Sequence, residues 1–573
     1  MTTTSYWQRF ERNRISRRRL IAATGVGVAG AAFIAACGGG GDGGGDGGGG
    51  GDDDSSSEDL GPPVRGGRYQ IGTAVNIDTL DPHLSIAGGV AYFPRIYNTL
   101  IAQSPIDTSF TFEDLADKLE QPDESTWIFN IRPGVKIAPN TMDVPERDLD
   151  AEDAFVSFDR IQNLDQANAA VFVNDWFESH VASDNNTIYT VTTPTPYAWF
   201  LFRLGFFINM IAPKELILND PDRMTDAAVG GGPFSVAPGD YSEGQSLILN
   251  RNPNYYRTDP NNDDAPLPYV DGMDVLIIPD RSARVAAFRS QQTHTYGPEN
   301  QDEADGLLAG LEVYQGSSDP VFTFISFTMN VERPPWDNPL VRKAAMHAIN
   351  RAQYIDLVYK GDAQANGLVH WPVGAYALEP DELEELQGWD IEKSKALIQE
   401  AGFELPLKVK VMFAANSTIE EHNTHLPIFI EQMAAAGFEV EQDGQEFGTW
   451  LDNYTNINYD ASLALNQIYE TPEIPLDFHH SRGPAGDEIF SGGLKDDAID
   501  AAIDATKTIT NADELIQAIH DVQRQIYEVG PMFLPIVSPF SRTLFWNFVK
   551  NIPSGLGSVG LLLNDWWVDE EGA

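Results

Sequence analysis

Beyond residue 65 the apolar positions recur at two spacings, and the two alternate along the chain. Trp127, Phe129 and Ile131 share one face of an extended segment, as do Leu407, Val409 and Val411, the period of half-buried strands. Ala154, Phe155, Phe158 and Ile161 follow Asp150 at helical spacing, with Asp150 as the predicted cap. Thr323–Phe327 reads as a largely buried strand that Pro334-Pro335 brings to an end, since proline donates no ladder hydrogen bond. Asn338 then caps a helix with Pro339 at its first position, and Val341, Ala344, Ala345, Ala348 and Ile349 form its apolar face. Asp390 opens a helix through Ala401 with Gly402 beyond it, and a later helix stops at Gly437 before a strand from Phe438. Asn511 and Glu514 form a capping-box pair for a helix ending at Gly530. Strands interleaved with helices predict an α/β protein.

The first 65 residues follow neither period. Six arginines between Arg9 and Arg19 precede a weakly apolar run, Leu20–Ala36, that closes on Ile34-Ala35-Ala36-Cys37. A basic stretch, an apolar stretch and small residues before a cut describe an export signal. Ser16–Ile21 (SRRRLI) resembles a twin-arginine signal, and the residues ending at Cys37 resemble a lipobox whose cysteine is acylated. Gly38–Gly51 and the acidic residues after it read as a flexible tether. No later run is long and apolar enough to span a bilayer. The expected divisions are therefore a signal over 1–36 and a tether over 37–65.

At 573 residues the chain exceeds one ordinary core, so two or more domains are expected. The formal charge is −48; residues 1–36 hold six Arg and one Glu, a net of +5, so the chain from Cys37 onward carries −53. That charge excludes nucleic acid as a partner, because a phosphate backbone would be repelled. Cys37 is the single cysteine, which rules out internal disulfides and cysteine-based metal clusters.

Several phrases resemble one family in order along the chain. They include TLDPH at Thr79–His83, IYNTL at Ile96–Leu100, Glu152-Asp153 with Arg160, and RNPNYY at Arg251–Tyr256. The most specific runs from Asn330 through Pro334-Pro335-Trp336-Asp337-Asn338 and Val341-Arg342-Lys343-Ala344 to Arg351. Together they resemble the family 5 (peptide/dipeptide/nickel-type) extracytoplasmic solute-binding proteins of ABC transporters. The resemblance implies a two-lobed periplasmic-binding-protein-like fold of class II type, with hinge-linked lobes and an enlarged first lobe. Its expected boundaries are 66–328 for the first lobe, 329–534 for the second, and 535–573 for the return to the first. It further implies a lipid-anchored, monomeric, extracytoplasmic receptor that delivers a small solute, a peptide or another compound, to permease subunits with a cytoplasmic ATPase. No cofactor or metal is expected.

The ligand contacts carry over only in part. Dipeptide-binding relatives hold the ligand ammonium with an Asp where Ile468 stands here, Thr471 replaces a second Asp, and Val411–Asn416 offers no Arg for a carboxylate. Phe447, Asn466, Tyr469 and Glu470 are the residues that the resemblance leaves as ligand contacts. They suit a solute with hydrogen-bonding groups and an apolar or planar face. Carboxylates are too abundant for any close pair to mark a general acid or base.

Other motifs carry less. GxGxxG at Gly25–Gly30 and Gly555–Gly560 lacks the strand–helix context of a dinucleotide site. Asp259, Asn261 and Asp263 imitate a calcium loop, but Asp264 and Val270 stand where the turn glycine and bidentate Glu belong. His422 and His425 share a helical face and His479-His480 follows later; without cysteine or an HExxH context they read as surface or packing histidines. An exported surface hydrolase of peptides or glycans, and an adhesive surface protein, are the rival classes. Replacing the acylated residue, Cys37→Ser, is expected to move the protein from the membrane fraction to the soluble one on fractionation; unchanged membrane association would point to a spanning helix.

Overall fold

A computed structural model describes residues 62–85, 88–103, 110–111, 114–164, 167, 169–206, 208–298, 300–316, 319–320, 323–369, 374–415, 420–467, 471–483, 490–552 and 565–569. The alternating periods resolve into three main sheets with helices packed around them. Cys37 and the signal and tether before residue 62 lie outside the described residues, as do Ile468, Tyr469 and Glu470.

The first sheet is built on Arg68–Thr73, which runs parallel to Gly272–Ile277, with Tyr69 opposite Met273 and Ile71 opposite Val275. Ser246–Arg251 adds antiparallel on the far side of Gly272–Ile277. On the other side lie Thr295–Tyr296, Leu544–Trp546 and Val313–Gln315 in that order. The second sheet orders Asp319–Pro320, Phe533–Ser541, Thr323–Met329, Ala461–Gln467, Leu407–Ala414 and Phe438–Gln445, with Ala363–Ala365 also on Phe533–Ser541. A four-stranded antiparallel sheet, Ala116–Asp123, Thr126–Ile131, Ile188–Thr192 and Ser179–Ser183, adds to the first half of the chain.

Sheet membership places the passages between halves differently from the expected lobe boundaries. The positions 328/329 and 534/535 fall inside strands Thr323–Met329 and Phe533–Ser541, both in the second sheet. The chain passes from the first sheet to the second between Gln315 and Asp319, and returns between Ser541 and Leu544. Strand Thr323–Met329 stops before Asn330, short of Pro334-Pro335, and apolar alternation carries no information on which sheet a strand joins.

Local signals hold well. Asn338 Oδ1 accepts from the Leu340 amide at 2.9 Å, opening helix Pro339–Ala348. Asp150 and Asp153 form a reciprocal capping box at the head of Ala151–Asn163. Asn511 Oδ1 accepts from the Asp513 and Glu514 amides, both at 3.1 Å. Gly402 and Gly437 both adopt positive φ past helix ends, a conformation glycine reaches without a Cβ clash. His425 is buried, stacks on Tyr354 and lies 2.7 Å from the Tyr359 hydroxyl through Nε2.

The conspicuous Asp81 and His83 of the TLDPH phrase serve packing. Arg160, on helix Ala151–Asn163, donates to both Asp81 oxygens at 2.9 and 2.6 Å. His83 Nδ1 lies 2.8 Å from the same guanidinium and Nε2 lies 2.9 Å from the Met210 carbonyl. Burial, then the Arg160 charge, holds His83 down to about 4, so it is neutral at pH 7. Asp81 is 1% exposed. Removing one member of a buried pair strands the other charge, so Asp81→Ala is expected to cost about 3–5 kcal/mol in chemical denaturation; a loss under about 1 kcal/mol would show the pair to be dispensable.

Candidate functional site

The short helix Glu473–Asp477 follows Pro472 and places Glu473 and Asp477 one turn apart, on one face. The other four members of EIPLD are buried with Glu473, so both carboxylates are carried inward by the apolar residues between them. They line a cavity of about 370 Å³ whose walls come from two distant stretches, Phe172–Arg203 and Glu473–Thr508. That volume lies within the usual range for small-solute sites.

Contacts cross the cavity from one stretch to the other. The Tyr197 hydroxyl lies 2.8 and 2.7 Å from the two oxygens of Glu473. The Ala198 amide donates to the Lys507 carbonyl at 2.7 Å, and Arg482 Nη2 donates to Asp175 Oδ2 at 3.0 Å. Trp176 stacks on Tyr197 with centroids 3.6 Å apart and planes within 3°. Lys507 Nζ stands 3.1 Å from both Asp477 Oδ1 and Asp504 Oδ1. His480 Nε2 lies 3.4 Å from Asp504 Oδ2.

Burial sets the protonation. It raises the Glu473 carboxyl, and the neighbouring Asp477 charge raises it further. Asp477 is raised by burial against the opposing pull of Lys507. Lys507 stays above its ordinary value despite burial, because Asp477, Glu473 and Asp504 surround it. Asp504, more exposed and hydrogen-bonded by His480, is lowered to about 2. The site can thus hold opposite charges side by side in a partly dry space, where each counts for more than in water.

Phe447, expected as a ligand contact, begins helix Phe447–Thr455 after the capping residue Glu446. It is 36% exposed, its ring 5.8 Å from Trp450, and it is not among the residues lining the cavity. Asn466 sits in Ala461–Gln467 opposite Phe324. Tyr197, Glu473, Asp477 and Lys507 were not singled out from the sequence; in a chain so rich in carboxylates only burial distinguishes Glu473 and Asp477. Among the described residues, no three His, Cys, Asp or Glu side chains converge as a metal site would, and no helix is long and apolar enough to cross a membrane.

Two α/β halves joined by paired passages, with a polar cavity where distant stretches meet, define a two-lobed binding-protein fold. Residues 112–483 match the family described as bacterial extracellular solute-binding proteins, family 5 Middle, and the chain belongs to that family. It is similar to the dipeptide-binding protein of Escherichia coli, 28% identical over 337 residues, 54% of this chain and 58% of that protein. It is also similar to heme-binding protein A of Haemophilus influenzae, 26% identical over 54% of this chain and 57% of that protein. The matched stretch thus spans less than two thirds of these curated relatives. Among solved structures, the ABC transporter-associated periplasmic binding protein DppA of Helicobacter pylori, in complex with the peptide STSA, superposes with a TM-score of 0.73 at 21% identity. That match covers 88% of this chain and 99% of that one. NikA of Brucella suis, in complex with Fe(III)-EDTA, gives 0.72 at 19% identity over 88% and 100%. At these identities the likeness establishes the fold.

A carboxyl raised in the folded state adds stability below its unfolded value and loses it as pH climbs through the raised value. Glu473 is such a group. Glu473→Gln removes this term, so the melting temperature of the variant relative to the parent is expected to be higher at pH 8 than at pH 5. A difference that is flat with pH would show that the Glu473 carboxyl titrates normally.

Proposed function

We propose that this chain is a lipid-anchored extracytoplasmic receptor that captures a peptide or other small solute between two lobes and delivers it to the permease of an ABC importer. It binds and releases its solute without turning it over, and its family of binding proteins gives the hydrolase reading no support.

One observation carries the mechanism. The two passages between the sheets run side by side, with Gln315 paired to Leu544 and Asp319 paired to Ser541. Two adjacent strands can bend together, so the halves can rotate about one line while each keeps its own sheet. We place the lobe boundaries at these passages, with Phe533–Ser541 in the second lobe. The cavity between Phe172–Arg203 and Glu473–Thr508 then lies where closure brings the lobes together. Phe447, Asn466, Tyr469 and Glu470 remain proposed contacts on the second lobe, and Cys37 the proposed acylation site.

Small-angle scattering at saturating solute is expected to show a smaller radius of gyration than the empty protein. The solute is found by native mass spectrometry of the purified protein and by calorimetry against dipeptides, longer peptides, sugars and metal chelates. Free dipeptides are expected to bind weakly, and Phe447→Ala to weaken the true solute. An unchanged profile at saturation would sink the closing-lobe mechanism, and tight dipeptide-selective binding would refute the predicted preference.

A further inference from the structure

Polar contacts join the Phe172–Arg203 wall of the cavity, from the first half, to the Glu473–Thr508 wall, from the second. Arg482 meets Asp175, the Ala198 amide meets the Lys507 carbonyl, and Tyr197 meets Glu473. The first pairs a cation with an anion, and the second is made by backbone groups that do not titrate. The third turns on where one proton sits. Glu473 and Tyr197 are 4% and 2% exposed, and both carboxyl oxygens lie within 2.8 Å of the one hydroxyl. A protonated carboxyl has one O–H to give and a carbonyl oxygen to receive, and a tyrosine hydroxyl answers both. An ionised carboxylate has only acceptor positions, about four of them, and one phenolic proton cannot satisfy them. The shared hydroxyl therefore fits the acid form. Trp176, stacked on Tyr197 at 3.6 Å, fixes the ring that presents it.

The charges that face Glu473 come from its own helix and from its neighbours. Asp477 lies one turn along, Arg203 comes from helix Phe200–Leu204, and Lys507 from helix Asp497–Lys507. Burial and then Asp477 raise the carboxyl, against the pull of Arg203, Lys507 and the Tyr197 hydrogen bond. Lys507 is also drawn to Asp477 and Asp504, each 3.1 Å away. His480 faces Asp504, and Arg482 faces Asp175.

We propose that Glu473 and Tyr197 are a proton-operated latch between the two halves: the protonated carboxyl grips the hydroxyl and holds the cleft shut, and loss of that proton to water lets the halves part. This rests on the receptor reading above and adds a control on its closure. Parting the walls brings Glu473 into water, where its carboxyl returns toward its ordinary value of 4.5. Burial, and after it the Glu473 charge, keeps the Tyr197 hydroxyl protonated. Closure therefore takes up a proton at any pH above that ordinary carboxyl value. Acid favours the closed form, and its share falls as pH climbs from the ordinary value toward the raised one. The receptor thus holds its solute more firmly in acid surroundings and yields it more readily in alkaline ones.

The test is the distance between two spin labels on the full chain. One sits at Val181→Cys, an exposed site of the first half, and the other at Ala498→Cys on helix Asp497–Lys507 of the second, with Cys37→Ser to exclude a third label. Pulsed spin-resonance measurements at pH 5 and pH 8 give the ratio of short to long separations. In the parent that ratio is expected to fall about tenfold or more between them, since one linked proton shifts an equilibrium by up to about tenfold per pH unit. Glu473→Gln keeps a donor and an acceptor but cannot ionise, so its ratio should stay at the acid value at both pH values. Tyr197→Phe removes the hydroxyl and should lower the ratio at pH 5; thermal melts confirm that both variants fold. A parent ratio that ignores pH overturns the proposal, as does a fall that survives Glu473→Gln, or a Glu473→Gln chain that opens at pH 5. Contraction in scattering on binding solute is read separately, so the latch can be refuted with the receptor reading left standing. Absence of both the pH response and that contraction removes both.

Discussion

Two short passages of chain carry every covalent link between the described sheet built on Arg68–Thr73 and the one built on Thr323–Met329. They are bonded to each other, the Gly316 amide donating to the Thr543 carbonyl at 2.8 Å. Gly316 has reason to be small: a Cβ there would sit 2.9 Å from the Phe545 ring. Between them Arg542, 6% exposed, donates to Gln301 of the first half at 2.7 Å and pairs with Asp362 of the second. A bend can thus be shared by the two passages while their spacing stays fixed.

Just beyond the passages, buried arginines do a different job. Arg342 donates to the carbonyls of Gly530, Trp336 and Val529, and Arg351 to those of Pro535 and Gln387. Carbonyl dipoles satisfy the guanidinium donors in place of a carboxylate, while burial lowers both groups. They tie helices Pro339–Ala348 and Arg351–Leu357 to the segment returning toward the first sheet, which makes this end of the second half stiff. The cavity is built the opposite way, from carboxylates and cations that meet across two stretches of chain.

The sequence was most legible where physics is local. Asn338-Pro339, Asp150, Asp390 and Gly437 each announce a helix end through groups within four residues, and each is found where expected. The strand periods were equally plain. What failed to show was partnership across long separations. Strand Phe533–Ser541 looks like a return to the first sheet until its register with Ile325–Thr328 is known. Asp477 is one acidic residue among 85 until its neighbours bury it. Helical spacing puts His422 and His425 on one face but leaves surface and packing roles open, because the Tyr359 that meets His425 comes from 66 residues away.

The late strands also govern when the molecule can assemble. Phe533–Ser541 lies between Asp319–Pro320 and Thr323–Met329, and Leu544–Trp546 lies between Val313–Gln315 and Thr295–Tyr296. Each sheet therefore waits for a strand from the same stretch: the second is not complete until residue 541 has left the ribosome, nor the first until residue 546 has. Domains made of contiguous chain can fold one after another during synthesis; these two halves must finish together.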